Sequence, residues 1–267
     1  MKFFPGSFGL PGGIRLITLL TAFVLLNFPL QAADDANAAF PFDREQLFFS
    51  MKFHGLPSAT VTMQARVTEQ GMVKISSDVN TKPLYNLLFH IHNHYETFIA
   101  QDSGLPIRSV KKIDQKNIRQ QLEIVYDRDL ALARTSWDST WTITADAYDL
   151  FSMLYKIRRS TKDTLNMTVH IEGQLWRVSG VFEKAAPTKG KFGKLAARTI
   201  TLSFRPYDIV HPRTWKTDLL TNRIARANSK LIITLGPPPD NLPILLRFGA
   251  GDSSVEMRLV RKEKPDF

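Results

Sequence analysis

Ala59-Thr60-Val61-Thr62-Met63-Gln64-Ala65-Arg66-Val67-Thr68 is the stretch that decides the fold class. Ala59, Val61, Met63, Ala65 and Val67 take every second position, and Thr60, Thr62, Gln64, Arg66 and Thr68 take the positions between. Successive side chains of an extended chain point to opposite faces, so this alternation predicts a strand with one face buried and one in water. Immediately upstream, Leu47, Phe49, Met51 and Phe53 alternate with Phe48, Ser50, Lys52 and His54, and Gly55-Leu56-Pro57-Ser58 carries turn chemistry. The two runs predict a hairpin.

Period two continues outward. Strands fit at Val73 to Val79, Phe89 to Ile99, Ile107 to Ile113, Ile118 to Tyr126 and Leu130 to Trp137, with turn signals such as Asp102-Ser103-Gly104 and Asp127-Arg128-Asp129 between them. They resume at Leu165 to Ile171, Leu175 to Phe182, Thr199 to Phe204, Leu231 to Leu235, Ile244 to Phe248 and Val255 to Leu259. Gly236-Pro237-Pro238-Pro239 interrupts them, because a triproline cannot donate to a sheet ladder. Two segments read as irregular and basic: Lys184 to Lys194, and a long loop from Tyr207 to Ser229.

One segment breaks the alternation. From Asp146 to Arg159 the apolar residues Ala147, Leu150, Phe151, Leu154 and Ile157 recur at three- and four-residue spacing, which predicts an amphipathic helix. Thr144 or Asp146 is its expected N-cap, and Arg158-Arg159 fall in the last turn, where cations favour the helix dipole.

The first 32 residues have the profile of an export signal. Lys2 and Arg15 precede an apolar run from Leu16 to Phe28, shorter than the roughly 20 residues that span a bilayer. Pro29, Ala32-Ala33 and Asp34-Asp35 follow, so cleavage is expected near Ala32 or Ala33, leaving one domain over 33–267. The chain has no cysteine, which rules out disulfides, thiolate chemistry and a thioether lipid anchor. Of 35 basic and 25 acidic residues in 267, the leader carries two basic and no acidic ones, so the mature chain keeps 33 against 25, a net +8. On a periplasmic protein, a positive surface suits lipid headgroups, lipopolysaccharide or acidic glycans rather than nucleic acid.

The order of these features resembles a family of bacterial envelope proteins known as domain of unknown function 3108. Leu47-Phe48-Phe49-Ser50-Met51-Lys52-Phe53-His54-Gly55 is similar to its first hairpin. Tyr85-Asn86-Leu87-Leu88-Phe89, then Tyr95-Glu96-Thr97-Phe98-Ile99, resemble its aromatic segment and following acidic strand, and Leu105-Pro106-Ile107-Arg108 its Leu-Pro-x-Arg stretch. Asp146 to Arg158 resembles its single helix, which reads Asp, then Ser, Leu, Tyr and a closing Arg. The C-terminal third departs from the pattern. A Trp-Leu-Thr-Asp-Asp-like strand end is replaced by Ile232 to Asp240, although Leu242-Pro243-Ile244 keeps a Pro-Val-like restart. The resemblance implies a mainly β fold: an antiparallel, strongly curved sheet or open barrel with one amphipathic helix packed against it. It implies no activity and supplies no active site.

Two features are candidates for function. His90, His92 and His94 alternate along a strand, so their imidazoles share a face and could ligate a metal together with His54, His170 or an acid. The alternative is a solvated polar face, which the resemblance favours, since the family carries mixed charged residues there. Nucleophilic catalysis has no motif, and no cofactor is implied: a Gly-x-Ser-x-Gly elbow is absent, and Gly190-Lys191-Phe192-Gly193-Lys194 lacks phosphate-loop spacing. The second feature is the aromatic and Met content around the helix. Tyr148, Phe151, Leu154, Tyr155 and Trp176 are expected to bound an apolar cavity between helix and sheet, with Met153 adding flexibility. Lys189, Lys191 and Lys194, and the basic stretch Arg213 to Arg226, would meet an anionic headgroup.

The leading expectation is therefore a non-catalytic periplasmic protein that binds a lipid, lipopolysaccharide or lipidated protein. An interaction module of envelope assembly, or a hydrolase or metalloenzyme, are the alternatives. The export reading is checked by fusing the chain to a reporter active only outside the cytoplasm and sequencing the mature N-terminus. The reporter should be active and the mature chain should start near Ala33 or Asp34; intact Met1 in the membrane fraction is the contrary result.

Overall fold

The computed structural model describes residues 40–264 except 87–88, 172, 192, 209–217, 228 and 250–253. These residues fall within one compact unit, and the export signal expected at 1–32 lies outside the described residues. The opening hairpin forms as its alternation requires. β1 (Glu45–Phe53) buries Glu45, Leu47, Phe49 and Met51, and β2 (Leu56–Val67) sets Val61 opposite Phe49 and Met63 opposite Leu47. His54 and Gly55 turn the corner in left-handed conformations, with φ of 50° and 77°.

The meander continues through β3 (Met72–Thr81), β4 (His92–Ala100), β5 (Pro106–Gln115), β6 (Ile118–Asp127), β7 (Leu132–Thr135) and β8 (Thr140–Thr142). After the main helix come β9 (Thr164–Ile171), β10 (Gln174–Phe182), β11 (Ala186–Gly190), β12 (Gly193–Pro206), β13 (Lys230–Leu235), β14 (Pro243–Phe248) and β15 (Val255–Glu263). They make one antiparallel sheet in the order β8-β7-β6-β5-β4-β3-β2-β1-β15-β14-β13-β12-β10-β9, with β11 added to β12. β1 pairs with β15, so the first and last strands meet in mid-sheet. Lys184 to Lys194, read as irregular, is largely a hairpin, because β12 runs past β13 and pairs back on β11.

The sheet ends at β8 on one side and β9 on the other, and its curvature brings these edges together without a shared ladder. Bulges at Phe48/Phe49, Met51/Lys52, Phe98/Ile99 and Thr234/Leu235 add local bend and twist. At the seam the Trp141 ring lies 5.4 Å from that of His170, and the Tyr126 hydroxyl is 3.4 Å from His170 Nδ1. Trp141 also packs against Gly173, where a Cβ would come within 2.7 Å of the indole and where φ is 75°, so both space and backbone conformation demand glycine. Tyr148 pairs in parallel with Val169, accepting from His170 N at 2.7 Å and donating to Thr168 O at 2.9 Å. Part of the open β9 edge is thereby satisfied by the segment that leads into the helix.

That pairing explains why the helix starts later than its periodicity suggests. Ala147 and Tyr148 are drawn to the sheet edge, and the helix α2 covers Leu150–Arg159 with Asp149, rather than Thr144 or Asp146, as N-cap. Asp149 Oδ1 accepts from Ser152 N at 2.7 Å, and Ser152 Oγ accepts from Asp149 N at 2.8 Å, a reciprocal capping box. Two short helices join it: α1 (Pro83–Asn86) and α3 (Leu219–Ile224). α3 forms inside the segment read as a loop because Asp218 caps it and its apolar residues reach the core.

α2 lies inside the curved sheet, with Met153, Tyr155 and Ile157 almost wholly buried. Its C-terminal end is fixed by Arg158, which does not simply sit beside the helix dipole. The guanidinium is fully buried, with Nη1 donating to Glu45 Oε2 at 2.6 Å and Nη2 to Oε1 at 2.8 Å. It donates further to the carbonyls of Asn241 and Asp240, at 3.2 Å each, and lies 3.8 Å from the centre of the Phe42 ring. Removing one partner of a buried pair strands the other, at about 3–5 kcal/mol. Arg158→Met should therefore lower stability by that order in urea unfolding, whereas Arg158→Met combined with Glu45→Leu should recover at least half of it. Additive losses would show that the pair does not act as a unit.

Candidate functional site

A cavity of about 80 Å³ remains where α2, α3 and the concave face of the sheet meet. Met51, Met63, Met153 and Met257 border it, with Val61, Val79, Ile233 and Phe248 from the strands and Leu150, Phe151, Leu154, Leu220 and Ile224 from the helices. Among the described residues only Ser77, Tyr95 and Thr221 bring polar groups to this wall. Such a space offers water few hydrogen bonds, and engineered apolar cavities of about 150 Å³ stay dry and take up benzene. In this state the cavity admits a few carbon atoms. Four unbranched thioether side chains give its wall room to repack around more.

α3 closes one side of the cavity and is held there by a buried carboxylate. Asp218 is fully buried; its Oδ2 accepts from the Tyr95 hydroxyl at 2.7 Å, and its Oδ1 from Gln115 Nε2 and Leu220 N, both at 2.9 Å. Gln115 Oε1 in turn accepts from Leu219 N at 3.1 Å, and Asn93 Nδ2 donates to the Tyr95 oxygen at 2.7 Å. The helix is thus tied to β4 and β5 by a polar network at its first turn, while Leu220 and Ile224 face the cavity. No motif announced this wall. Its one sequence signal was Asp218 followed by Leu219, Leu220 and Ile224, a single turn's worth of periodicity in a basic stretch.

Of the residues expected to bound the cavity, Phe151 and Leu154 do so. Tyr148 is at the β9 edge, and Trp176 packs on Phe204 at 6.4 Å. Tyr155 packs on Phe40 and Phe42 beside Arg158, where burial pushes its phenol far above the ordinary range. Lys191 and Lys194 are exposed at the β11–β12 turn, and Lys189 is on β11, its side chain outside the described set. That turn and α3 lie at opposite ends of β12, so Lys191 and Lys194 do not stand beside Arg223 and Arg226. Arg213 is among the residues outside the description, whereas Arg223 and Arg226 follow the cavity wall directly.

The histidines are dispersed onto separate partners. His94 Nδ1 lies 2.7 Å from Asp78 Oδ1 and its Nε2 3.2 Å from Glu96 Oε1, while His90 pairs with Asp114 at 3.4 Å and His92 is exposed. Burial pushes the Glu96 carboxyl up, but its contacts with Lys74 and His94 outweigh that and hold it below the ordinary range. Among the described residues no group of three His, Cys, Asp or Glu side chains is arranged to hold a metal. A smaller pocket is bordered by Ser109, Asp149 and His170. There Asp149 accepts directly from the Ser109 hydroxyl at 2.8 Å and from Thr97 at 2.6 Å. A nucleophilic triad places an imidazole between serine and carboxylate, so this arrangement does not prepare Ser109 for attack. Asp149 is an interior anchor that joins the helix cap to β4 and β5.

If Asp218 fixes the cavity wall, Asp218→Ala should leave Tyr95, Gln115 and the α3 amides short of an acceptor and cost about 1–3 kcal/mol. Hydrogen exchange should accelerate most at 219–225, and unchanged protection there would refute the assignment.

No curated protein matches this sequence. A crystal structure of a β-barrel-like protein of domain of unknown function DUF1849 from Brucella abortus is similar in fold, with a TM-score of 0.57 and 10% identity over 84% of this chain and 98% of that one. A crystal structure of MucB in complex with MucA(peri) aligns over 80% of this chain and 85% of that one at 9% identity, but with a TM-score of 0.15 it carries no structural argument. Among the described residues no helix is long and apolar enough to cross a membrane. A family model described as "Protein of unknown function (DUF3108)" matches residues 49–260, from the first strand to the last, and the chain belongs to that family.

Proposed function

We propose that this protein is a non-catalytic periplasmic binder of an amphiphile, such as a lipid, lipopolysaccharide or lipidated protein, whose apolar chain enters the space between α2, α3 and the curved sheet. The observation that carries the reading is the cavity's wall, in which methionine and aliphatic side chains from both helices and both halves of the sheet surround an unfilled volume. Interiors are normally packed to the density of organic crystals, and an apolar void forfeits dispersion contacts on all its surfaces. An apolar occupant restores those contacts. The interior carboxylates are engaged, Asp218 with Tyr95, Asp149 with Thr97 and Ser109 and Glu45 with Arg158, which suits a container better than a reaction centre.

Ser77, buried at the cavity wall, allows a test that does not weaken the fold. Ser77→Leu adds aliphatic bulk where the void lies. Thermal melts with and without a lysophospholipid should show stabilisation of the natural protein, reaching about 2.7 kcal/mol at a hundredfold excess over Kd. The same lipid should leave Ser77→Leu unmoved, although that variant melts near or above the parent. Native mass spectrometry of protein purified from its own periplasm should show a co-purifying lipid mass that Ser77→Leu lacks. A natural protein that carries no lipid and gains no stability from any amphiphile sinks the proposal.

A further inference from the structure

We infer that the α3 end of the barrel is a docking face for an anionic membrane surface. Three leucines stand out there: Leu84 is 79% exposed, Leu56 55% and Leu219 47%. They come from three separate connections, the β1–β2 turn, α1 and the first turn of α3, and contacts beneath them bring these together. Lys82 N donates to Ser58 O at 2.8 Å, joining the α1 segment to β2 beside Leu56. The Phe53 ring, paired with Leu56 across the hairpin, packs 5.8 Å from Phe89, which lies 6.3 Å from Tyr85 of α1. Arg223 of α3 sits 4.6 Å over the same Phe53 ring, and Leu219 N is bonded to Gln115. The exposed leucines therefore stand around one aromatic platform.

Scattered surface leucines are ordinary, and the charge around these is what identifies the partner. In the segments 82–91, 114–119 and 218–230 the cations are Lys82, Lys116, Arg119, Arg223, Arg226 and Lys230. The acids are Asp114, which is engaged with Arg119 and His90, and Asp218, which is fully buried. Protruding apolar tips with cations on the neighbouring segments match a bilayer interface, where the leucines enter the headgroup and acyl boundary and the cations meet phosphates. A protein partner would call for a continuous apolar core at the contact, which three separate protruding tips do not provide. Leu219 faces outward while its neighbours Leu220 and Ile224 line the cavity, so a membrane at this face lies against the outer side of the cavity wall.

The test is co-sedimentation of the mature chain with vesicles of phosphatidylglycerol and, separately, of phosphatidylcholine. Binding to phosphatidylglycerol is expected, weakening as salt is raised, with little binding to phosphatidylcholine. Leu56→Ser with Leu84→Ser should weaken it at least about tenfold with an unchanged melting temperature, because both side chains are exposed. Lys116→Glu with Arg226→Glu should abolish the preference for the anionic lipid. Ser77→Leu should bind vesicles as the natural protein does, which separates this face from the cavity reading. The inference is overturned if phosphatidylglycerol vesicles leave the protein in solution, if both lipids bind it equally, or if the leucine variant sediments unchanged.

Discussion

A guanidinium buried inside the curved, unclosed sheet is the constraint on which the rest of this structure depends. Arg158 has no access to water and has within reach both Glu45 oxygens, the carbonyls of Asp240 and Asn241, and the ring of Phe42. These belong to β1, the β13–β14 connection and the segment before β1, so one side chain fixes the end of α2 against elements remote from one another in sequence. A buried ion pair need not make the fold more stable than an apolar substitute would. What it does here is exclude other positions for the helix, since a shift of one turn would leave both charges unpaired in the interior.

The opposite end of α2 is fixed by a charge of the other sign. Asp149 caps the helix and also accepts from Thr97 and Ser109, so the first turn is tied to β4 and β5. With both ends held, the apolar stripe of α2 must fill the interior, and its preceding residues cover the open β9 edge. A sheet that curls without closing has two unpaired edges and a hollow, and this helix segment answers both needs. The hollow is not filled throughout. α2 is ten residues long, about 15 Å, and beyond it α3 supplies the remaining wall. The cavity lies where these two helices and the sheet meet.

Three interior carboxylates, Glu45, Asp149 and Asp218, divide the work of positioning. Each is saturated with donors and each fastens a helix to strands, so buried acids that might suggest catalysis act as structural ties. The cavity wall is left almost wholly apolar, and basic residues on the outside stand at two ends. The lysine-bearing β11–β12 hairpin extends from one end, and the leucine and arginine face surrounds α3 at the other.

The strands, the order of the meander and the presence of an amphipathic helix were written in local periodicity, because a half-buried strand repeats every two residues and a half-buried helix about every 3.6. Leu47 to Val67 and Leu150 to Ile157 could hardly be read otherwise. The family pattern ending in Ser152, Leu154, Tyr155 and Arg158 also marked the correct helix, without revealing why its last residue is arginine. Tertiary structure alone decided the rest. Whether Tyr148 would be helical or join a sheet edge depended on β9, which follows it in the chain. Asp218 and α3 gave almost no periodic signal, since six residues span less than two turns, and their stability comes from Tyr95 and Gln115 more than a hundred positions away. The cavity belongs to this second class for the same reason: a void is defined by side chains from distant segments that fail to meet, and no local pattern of residues records a gap.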